Sequence, residues 1–508
     1  MSTPPPADPT PWRRLHPRML AVQPLHEFVR ALPVLMAMLV VGLSTGNGEQ
    51  WSLLASVATI LLGPVRWYTT AYRVTADQVQ LRRGLLRREV TSVPRERVRS
   101  VDVTAHPLHR ILGLARVEIG TGSADRGAER RLRLDALSAA DADRLRAELF
   151  RAGSARPEAG ALVAFRPGWL RYAPLNVGGP VLLALLAALL HEMRLDPWHT
   201  APAHALADRL SGSHPWSGVL EAALLAIAST MAASTLFYAV MFGNFRLSRL
   251  PDGTLRTAHG MLTTRTVTVE ERRVHGIEIG RTLPVRALGG ARCVAITTGV
   301  RPGRGGGALM VPSAPVDEVR RVARAVLGTP DPVDCALAPR PRRALRRRLV
   351  RALLLGVAGA ALFTAAVRWC AVPVWPWPAV ALLLPLGAAA ALDGYRALGH
   401  ALTGPYVVGR SGVLVRRHWA LSRRGVVGLR LRGSYFQRRA GLVTLIATTA
   451  AGRRRYDLPD LAVDEALRVA RELVPGLLDP FLEPAPDGSA PTAQTSEART
   501  GTSSAGAG

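Results

Sequence analysis

The chain has 508 residues, 48% of them hydrophobic, and its 65 basic and 37 acidic residues give a net charge of +28. This length leaves room for several domains with sizeable cores, and three scattered cysteines without a CxxC spacing exclude a disulfide framework and a cysteine metal site. Every basic residue is arginine, a bias that GC-rich coding also produces, so the charge does not by itself indicate nucleic-acid binding.

The start of the chain, residues 1–27, is proline-rich and basic and predicts a disordered tail. Paired apolar segments follow it, and the same pairing recurs twice further along. These segments predict six membrane spans arranged as three helical hairpins, with tryptophan and tyrosine near the span ends as interface anchors. The predicted hairpins are residues 28–66, 173–242 and 349–393.

Arginine positions predict the orientation of the hairpins. Four arginines precede the first span, whereas the short loop at residues 44–50 has none. Arginine also crowds residues 340–351, just before the fifth span, and is absent from the loop after that span. Because cytoplasmic flanks carry an excess of arginine, both termini and the segments that follow each hairpin are expected in the cytosol.

Each hairpin leads into a strand-rich segment with the same sequence pattern. In residues 67–151, short runs such as residues 98–103 alternate apolar and polar residues, which is typical of antiparallel strands with one buried face. Arg82-Arg83-Gly84-Leu85 predicts a hairpin turn in which Gly84 supplies a positive φ. The pattern returns in residues 243–328 and, in a more degraded form, in residues 394–476.

Three positions are identical in all three copies and define the repeat. They are Gly84, Gly260 and Gly412; Arg110, Arg286 and Arg438; and Gly113, Gly289 and Gly441. Each copy ends in a helical pattern, and Ser138 is the predicted N-cap of the first. The repeat therefore predicts α+β domains, each a small antiparallel sheet or barrel with one C-terminal helix, joined by linkers at 152–172 and 329–348 and followed by a disordered tail at 477–508.

The repeat resembles the bacterial pleckstrin-homology-like, membrane-flanked domain family. The resemblance rests on the turn glycine, the Pro94-Arg95-Glu96-Arg97-Val98 step and the Arg110-to-Leu114 segment; the third copy has Ser422-Arg423-Arg424-Gly425 in place of that step. Three copies in one chain look like the YdbT-type members of the family. The resemblance implies a multi-pass α-helical protein of the bacterial cytoplasmic membrane with three cytosolic α+β pleckstrin-homology-like domains.

Arginines flank the first predicted turn and continue past the next strand, and each copy has a net positive charge. A basic face beside a membrane is attracted to anionic lipid, although positive-inside topology and coding bias explain any single arginine as well. The candidate headgroup contacts are Arg82, Arg83, Arg87, Arg88, Arg95 and Arg97. No catalytic residue, metal site or cofactor is predicted, because no nucleophile elbow or converging set of ligands is evident.

We expect a non-enzymatic membrane scaffold or adaptor whose cytosolic domains bind proteins or anionic lipid, without nucleic acid. The resemblance implies a role in envelope stress or defence, and a membrane-protein partner such as a smaller protein of the same family. The alternatives are a transporter or export-complex component, and a membrane-embedded enzyme. Ionisable residues are lacking from the middles of the spans, which argues against an ion or proton path.

Overall fold

The computed structural model of the chain describes residues 11–18, 68–75, 77–84, 88–121, 132–149, 160–175, 178–192, 215–300, 308–369 and 377–475. Several predictions lie outside these residues. They are the first hairpin at 28–66, the loop at 193–214 inside the second hairpin, residues 1–10 and 19–27 of the N-terminal tail, and the C-terminal tail at 477–508. Residues 11–18 of the N-terminal tail are ordered instead of disordered, because Arg13–Arg14 pairs as a strand with residues 71–72 and Leu15 is buried.

The described chain contains three units, each with two antiparallel sheets and a C-terminal helix. Unit 1 consists of β1 (Arg13–Arg14), β2 (Ala71–Val74), β3 (Gln78–Arg83), β4 (Glu89–Pro94), β5 (Ser100–Ala105), α1 (Pro107–Ile111), β6 (Leu114–Gly120), β7 (Leu132–Ser138) and α2 (Ala139–Leu149). Strands β1 to β4 form its first sheet, and β5 to β7 belong to its second.

Unit 2 repeats this order after two apolar helices. Strand β8 (Ala161–Ala164) comes before the apolar helices α3 (Gly178–Glu192) and α4 (Pro215–Phe242) and joins the sheet of the unit. After the helices, unit 2 continues with β9 (Arg246–Arg249), β10 (Thr254–His259), β11 (Thr264–Glu270), β12 (Val274–Thr282), α5 (Leu283–Ala287), β13 (Gly290–Thr297), β14 (Ala308–Pro315) and α6 (Val316–Leu327). A 3-10 helix, Pro167–Leu175, precedes α3.

Unit 3 follows a short connecting helix and a second pair of apolar helices. The connecting helix is α7 (Asp331–Asp334), and the apolar helices are α8 (Arg342–Trp369) and α9 (Trp377–Arg396). Unit 3 itself consists of β15 (Gly399–Thr403), β16 (Tyr406–Ser411), β17 (Val415–Ser422), β18 (Gly428–Arg432), α10 (Tyr435–Arg439), β19 (Leu442–Thr448), β20 (Arg455–Ala462) and α11 (Val463–Leu473).

Strand alternation and turn chemistry agree with the sequence predictions. The three repeat glycines of the hairpin turns have φ of 104°, 104° and 110° at Gly84, Gly260 and Gly412, as predicted for the first. The strand predicted at residues 98–103 begins later, at Ser100, because Arg95–Arg97 forms a 3-10 turn that separates the two sheets of the unit.

The C-terminal helix of each unit closes its core. In unit 1 the predicted N-cap is confirmed, since the Ser138 hydroxyl accepts the Asp141 amide at 3.0 Å. In units 2 and 3 the buried residues of the helix fall at spacings of three and four, which gives one apolar face. Each helix packs on its own sheet and closes a hydrophobic core. The cores of units 2 and 3 share residues, since Val408 and Ala420 of unit 3 pack in the core of unit 2 and Ile296 of unit 2 packs in that of unit 3.

Sheets run from one unit into the next. Strand β5 of unit 1 pairs with β11 of unit 2, and β12 of unit 2 pairs with β17 of unit 3. We call these pairings the first and second junctions. They create a seven-stranded sheet, β7-β6-β5-β11-β10-β9-β8, and a six-stranded sheet, β14-β13-β12-β17-β16-β15. The three units therefore form one continuous body.

Three helices of the described chain are long and apolar enough to cross a membrane: residues 220–242 of α4, α8 and α9. A fourth candidate span is the pair Pro167–Leu175 and Gly178–Ala187, whose axes differ by 68°. Helix α8 begins at Arg342, ahead of the apolar segment predicted from residue 349, so the arginines before that segment lie on the same helix.

Each of the two described hairpins is fastened to the unit that follows it through the same place in the fold. In unit 2 the Tyr238 hydroxyl of α4 donates to the Ser313 carbonyl on β14 at 2.8 Å. In unit 3 the corresponding strand position is Asp460, a fully buried carboxylate that binds Arg347 and Arg348 of α8. The last strand of the unit therefore fixes the position of the apolar helix that precedes the unit.

Candidate functional site

The predicted headgroup arginines lie at opposite ends of one hairpin. Arg82 and Arg83 end β3, and Arg88 precedes β4, whereas Arg95 and Arg97 follow β4. Strands of six residues separate the two groups by roughly 16 Å. Arg87 lies outside the described residues. The structure thus does not gather these side chains at one site.

Several of these arginines have partners within unit 1. The Arg82 guanidinium stacks on the Trp12 ring at 4.9 Å. Arg83 donates to the Arg133 carbonyl, and Arg95 donates to the Glu148 carbonyl. Arg88 and Arg97 are exposed, so they are the two described members that remain open to solvent.

The repeat-defining arginines hold neighbouring parts together. Arg110 of unit 1 donates to the Met261 carbonyl in the β10–β11 turn at 2.8 Å. Arg286 of unit 2 binds Asp393 at the end of α9. Arg438 of unit 3 is exposed. The glycines at the third repeat position, Gly113, Gly289 and Gly441, have φ between 65° and 73° and end the short helix in each unit.

A second basic surface, not singled out from the sequence, lies between α8 and the short helix α10 of unit 3. It is a groove of about 800 Å³. We call it the arginine groove. Its lining residues are Arg343, Arg346, Arg347, Val350, Arg351 and Leu354 on α8, and Ser434, Phe436, Arg439, Ala440 and Gly441 at α10.

Helical spacing puts the basic residues of α8 on one face. Arg343, Arg347 and Arg351 are four residues apart, and Arg346 is on the adjoining row. Val350 and Leu354 continue this face toward the apolar part of the helix. The groove is therefore cationic at the start of α8 and apolar toward the part of α8 that is a candidate membrane span.

Helix α10 supplies the opposite wall. Ser434 caps it: the Ser434 hydroxyl accepts the Gln437 amide at 3.3 Å, and the Gln437 side chain accepts the Ser434 amide at 3.0 Å. The capped turn presents Phe436, which is 63% exposed, and Arg439. Gln437 also donates to Asp460 at 3.0 Å, so the wall is tied to the residue that anchors α8.

Few acids neutralise the groove. Helix α8 contains no aspartate or glutamate. The buried Asp460 forms an ion pair with Arg347. Arg343, Arg346, Arg351 and Arg439 form no ion pair with any residue in the described ranges. An arginine guanidinium presents several donors in a planar fork that matches phosphate oxygens. The groove therefore suits an anionic phosphate group with an apolar extension.

The sequence contained a signal for this site. The arginines of residues 340–351, which predict the orientation of the fifth span, also recur at a four-residue spacing that marks one helical face. The contribution of α10 could not be read in the same way, because residues 434–441 reach α8 only through the tertiary fold.

Other chemistry-bearing groups lie buried. Cys293 is fully buried, which raises the pKa of its thiol to about 12. Burial also raises the pKa of Glu278, against the opposing effect of nearby arginines. Within the ranges that the structure describes, no group of three histidine, cysteine, aspartate or glutamate residues could hold a metal ion.

Comparison with known proteins supports the interpretation of the first and third copies of the repeat. A family model described as "Bacterial PH domain" matches residues 24–153 and 351–475, which together make up half of the chain. Both matches contain an apolar segment followed by a sheet-and-helix unit, namely units 1 and 3. No curated protein and no solved structure matched the chain.

Proposed function

The chain belongs to the bacterial PH domain family, and from this premise we propose that it is a membrane-embedded scaffold that binds an anionic phospholipid in the arginine groove. The arginine groove is the observation that supports this proposal. It places the guanidinium groups of Arg343, Arg346 and Arg351 beside the apolar side chains of Val350 and Leu354, on a helix that is a candidate membrane span. A phospholipid has the same order of groups, with phosphate beside acyl chains.

The dimensions of α8 support this position. Its 28 residues correspond to about 42 Å of helix, more than the roughly 30 Å of a bilayer core. The arginines occupy the first turns and the apolar residues fill the remainder. A span that starts after Arg351 would therefore hold the groove at headgroup level on the cytosolic side, as the excess of arginine requires.

The wider proposal has four parts. The protein crosses the bacterial cytoplasmic membrane several times, with its termini in the cytosol, and its middle unit is a third PH-like domain, as in YdbT-type proteins. Its domains dock a membrane-protein partner, such as a smaller family member, in envelope stress or defence. It has no catalytic role, in keeping with a family that is generally non-enzymatic. The shared element order of units 1, 2 and 3 supports the second part.

Lipid binding by the purified full-length chain tests the proposal. Native mass spectrometry after adding phosphatidylglycerol or phosphatidylcholine should show retention of the anionic lipid only. The variant Arg343→Gln/Arg346→Gln/Arg351→Gln should weaken retention by at least about tenfold, since each lost contact to a charged group is worth about 1.5–3 kcal/mol. Inorganic phosphate as a competitor separates headgroup binding from binding of the whole lipid.

A matched triple variant in unit 1 gives the control. Arg82→Gln/Arg88→Gln/Arg97→Gln removes the same charge from the surface predicted from sequence. Loss of retention in this variant, but not in the groove variant, would move the lipid site to unit 1. Equal retention of both lipids by the unmodified chain would overturn anionic-lipid binding altogether.

A further inference from the structure

The two junctions within the chain are built to the same pattern. In the first, Asp102 of β5 lies opposite Val267 of β11; in the second, Glu278 of β12 lies opposite Trp419 of β17. Counted from the 3-10 turn that separates the sheets of each unit, the two pairs occupy the same positions. The register of pairing is therefore a property of the repeat.

An ion pair of the same polarity crosses each junction. Asp102 accepts Arg265 Nε at 3.0 Å and Nη2 at 2.5 Å. Glu278 lies 3.3 Å from Arg417 Nε. In both junctions the acid is on the first strand of the second sheet, and the arginine is two residues from the register partner of the acid. Diagonal neighbours of this kind are within reach of long side chains.

Two sheet edges of the same kind have no strand paired to them in the described chain. Strand β4 of unit 1 pairs only with β3, and β18 of unit 3 pairs only with β19. Strand β4 occupies the position of β11 and β17 in the repeat, and β18 that of β5 and β12. The described chain therefore has the two complementary halves of a third junction, β4 on unit 1 and β18 on unit 3.

The ion pair of these free halves is reversed. The position of Arg265 and Arg417 is occupied in β4 by Glu89, and the position of Asp102 and Glu278 is occupied in β18 by Arg430. Both side chains are exposed. The acid and the base have thus exchanged strands, so a β18–β4 pairing would still join opposite charges.

The register of the junctions also matches the apolar side chains of the free halves. It places Leu431 opposite Val90, and these side chains are 41% and 52% exposed. It places Arg432 opposite Glu89, on the same face as Arg430. Pairing would therefore bury two exposed apolar side chains on one face and surround one carboxylate with two guanidinium groups on the other.

We propose that β18 of one copy of this chain pairs antiparallel with β4 of a second copy, in the register of the two internal junctions. Such a contact is heterologous, so it continues head to tail and produces either a closed ring or an open chain of copies in the membrane plane. This interface is separate from the arginine groove, and it holds whether or not lipid binds there.

The reversed charges also give the contact its specificity. An internal arginine edge, with Arg265 or Arg417, would face Arg430 with a like charge and be rejected. Only the edge that carries Glu89 accepts β18. Arg110 and Arg286 each bind the next part of the chain beside a junction. The exposed Arg438 is at the same repeat position, so in the proposed contact it would bind the second copy in the same way.

Charge exchange in the full-length chain tests the proposal. We expect the unmodified protein, purified in mild detergent, to have the molar mass of two or more copies when it is measured by light scattering. Glu89→Arg alone, and Arg430→Glu/Arg432→Thr alone, should each raise the dissociation constant by at least about tenfold through like-charge contacts. The combined variant reproduces the polarity of the first junction and should recover the unmodified mass.

Cysteine pairs test the register in native membranes. Val90→Cys with Leu431→Cys should crosslink between copies, because opposite residues have Cβ atoms about 5 Å apart. Thr91→Cys with Leu431→Cys shifts the pair by one residue, to the other face of the sheet, and should not crosslink. A single-copy mass for the unmodified chain, an unaltered mass in both charge variants, or equal crosslinking of the two pairs would each overturn the proposal.

Discussion

Arg286 of unit 2 donates hydrogen bonds to the Asp393 carboxylate of helix α9 from both terminal nitrogens. The distances are 3.1 Å from Nη1 to Oδ2 and 3.2 Å from Nη2 to each oxygen. Arg416 of unit 3 donates to the same carboxylate at 2.9 Å. One acid at the end of a candidate membrane span therefore joins that span to two units at once.

Asp393→Asn should destabilise the contact between α9 and units 2 and 3. The substitution leaves two partly buried guanidinium groups facing a neutral amide, and we expect a loss of about 1–3 kcal/mol, below the range for fully buried pairs because the carboxylate is 32% exposed. Thermal unfolding of the purified chain, followed by tryptophan fluorescence, should show a melting temperature several degrees lower. Asp143→Asn is the matched control, since Asp143 is 65% exposed in its pair with Arg146; an equal effect of both variants would contradict the role of the Asp393 cluster.

Asp460→Asn should have a larger effect than Asp393→Asn. Asp460 is fully buried and accepts hydrogen bonds from Arg347, Arg348 and Gln437. Its φ is +61°, which asparagine tolerates, so the substitution removes charge without backbone strain. Breaking an ion cluster whose carboxylate is fully buried, and leaving the partly buried Arg347 and Arg348 without it, costs about 3–5 kcal/mol.

Limited proteolysis reports this change directly, because unit 3 should separate from α8 and expose the connection between them. Asp457→Asn, on the same strand but partly exposed and paired with the exposed Arg455, serves as the control. Equal protease resistance of the Asp460→Asn variant and the unmodified chain would show that the buried cluster does not hold the hairpin.

The sequence predicted the local features of the units well. Periodicity located the strands around Val79 and Val117, and the repeat placed the turn glycines and the C-terminal helices, because these depend on a few adjacent residues. It did not predict the junctions. Strand β5 and strand β11 are more than 150 residues apart, and alternation specifies which face of a strand is buried but not which strand lies beside it.

The candidate site shows the same division. The arginine stripe of α8 is a local pattern and could be read from its spacing. The pairing of that stripe with Phe436 and Arg439 depends on the buried Asp460 and the capped turn at Ser434. Nearness in sequence predicts that Arg82 and Arg95 share one surface. In the structure Arg82 is near the start of β4 and Arg95 follows the end of β4, so the length of that strand separates them.

Gly412→Ala tests the turn that all three units share. Gly412 has φ of +110°, and an added Cβ would stand 2.0 Å from the Val415 carbonyl oxygen. We expect a loss of about 2 kcal/mol or more, from the backbone conformation and from displacement of that carbonyl. Gly404→Ala, in the preceding turn of unit 3, has φ of +52° and open space around the Cβ, so it isolates the backbone effect. The two variants should differ in melting temperature, and equal values would show that the close contact is relieved without cost.

His400 should make stability depend on pH. Burial and the neighbouring Arg340 lower its pKa, although Glu465 opposes them. Arg340 donates to Nδ1 at 2.5 Å, so Nε2–H donates to Glu465 at 2.8 Å and the ring is neutral. The unfolded chain binds a proton near pH 6.5, whereas the folded chain resists it. Stability is therefore complete above about pH 6.5 and falls as the pH drops below that value.

The melting temperature at pH 7.5, 6.5 and 5.5 measures this effect. The partly buried His259, His275 and His418, whose pKa values are also lowered by desolvation, contribute in the same direction. His400→Gln should lower the melting temperature at pH 7.5 but reduce its fall between pH 6.5 and pH 5.5. An unchanged fall would show that His400 does not titrate in this range.

The three cysteines allow the membrane orientation to be tested without engineered labels. Cys293 is fully buried with a thiol pKa of about 12, so it should react only after unfolding. Cys335 lies partly exposed before α8, on the side expected in the cytosol, and Cys370, outside the described residues, follows α8 on the side expected to face outward. An impermeant maleimide should therefore label intact cells through Cys370, and permeabilised cells through Cys335 as well. Cys370→Ser should abolish labelling of intact cells and Cys335→Ser should leave it unchanged; the reverse result would invert the orientation and place the arginine groove on the outer face of the membrane.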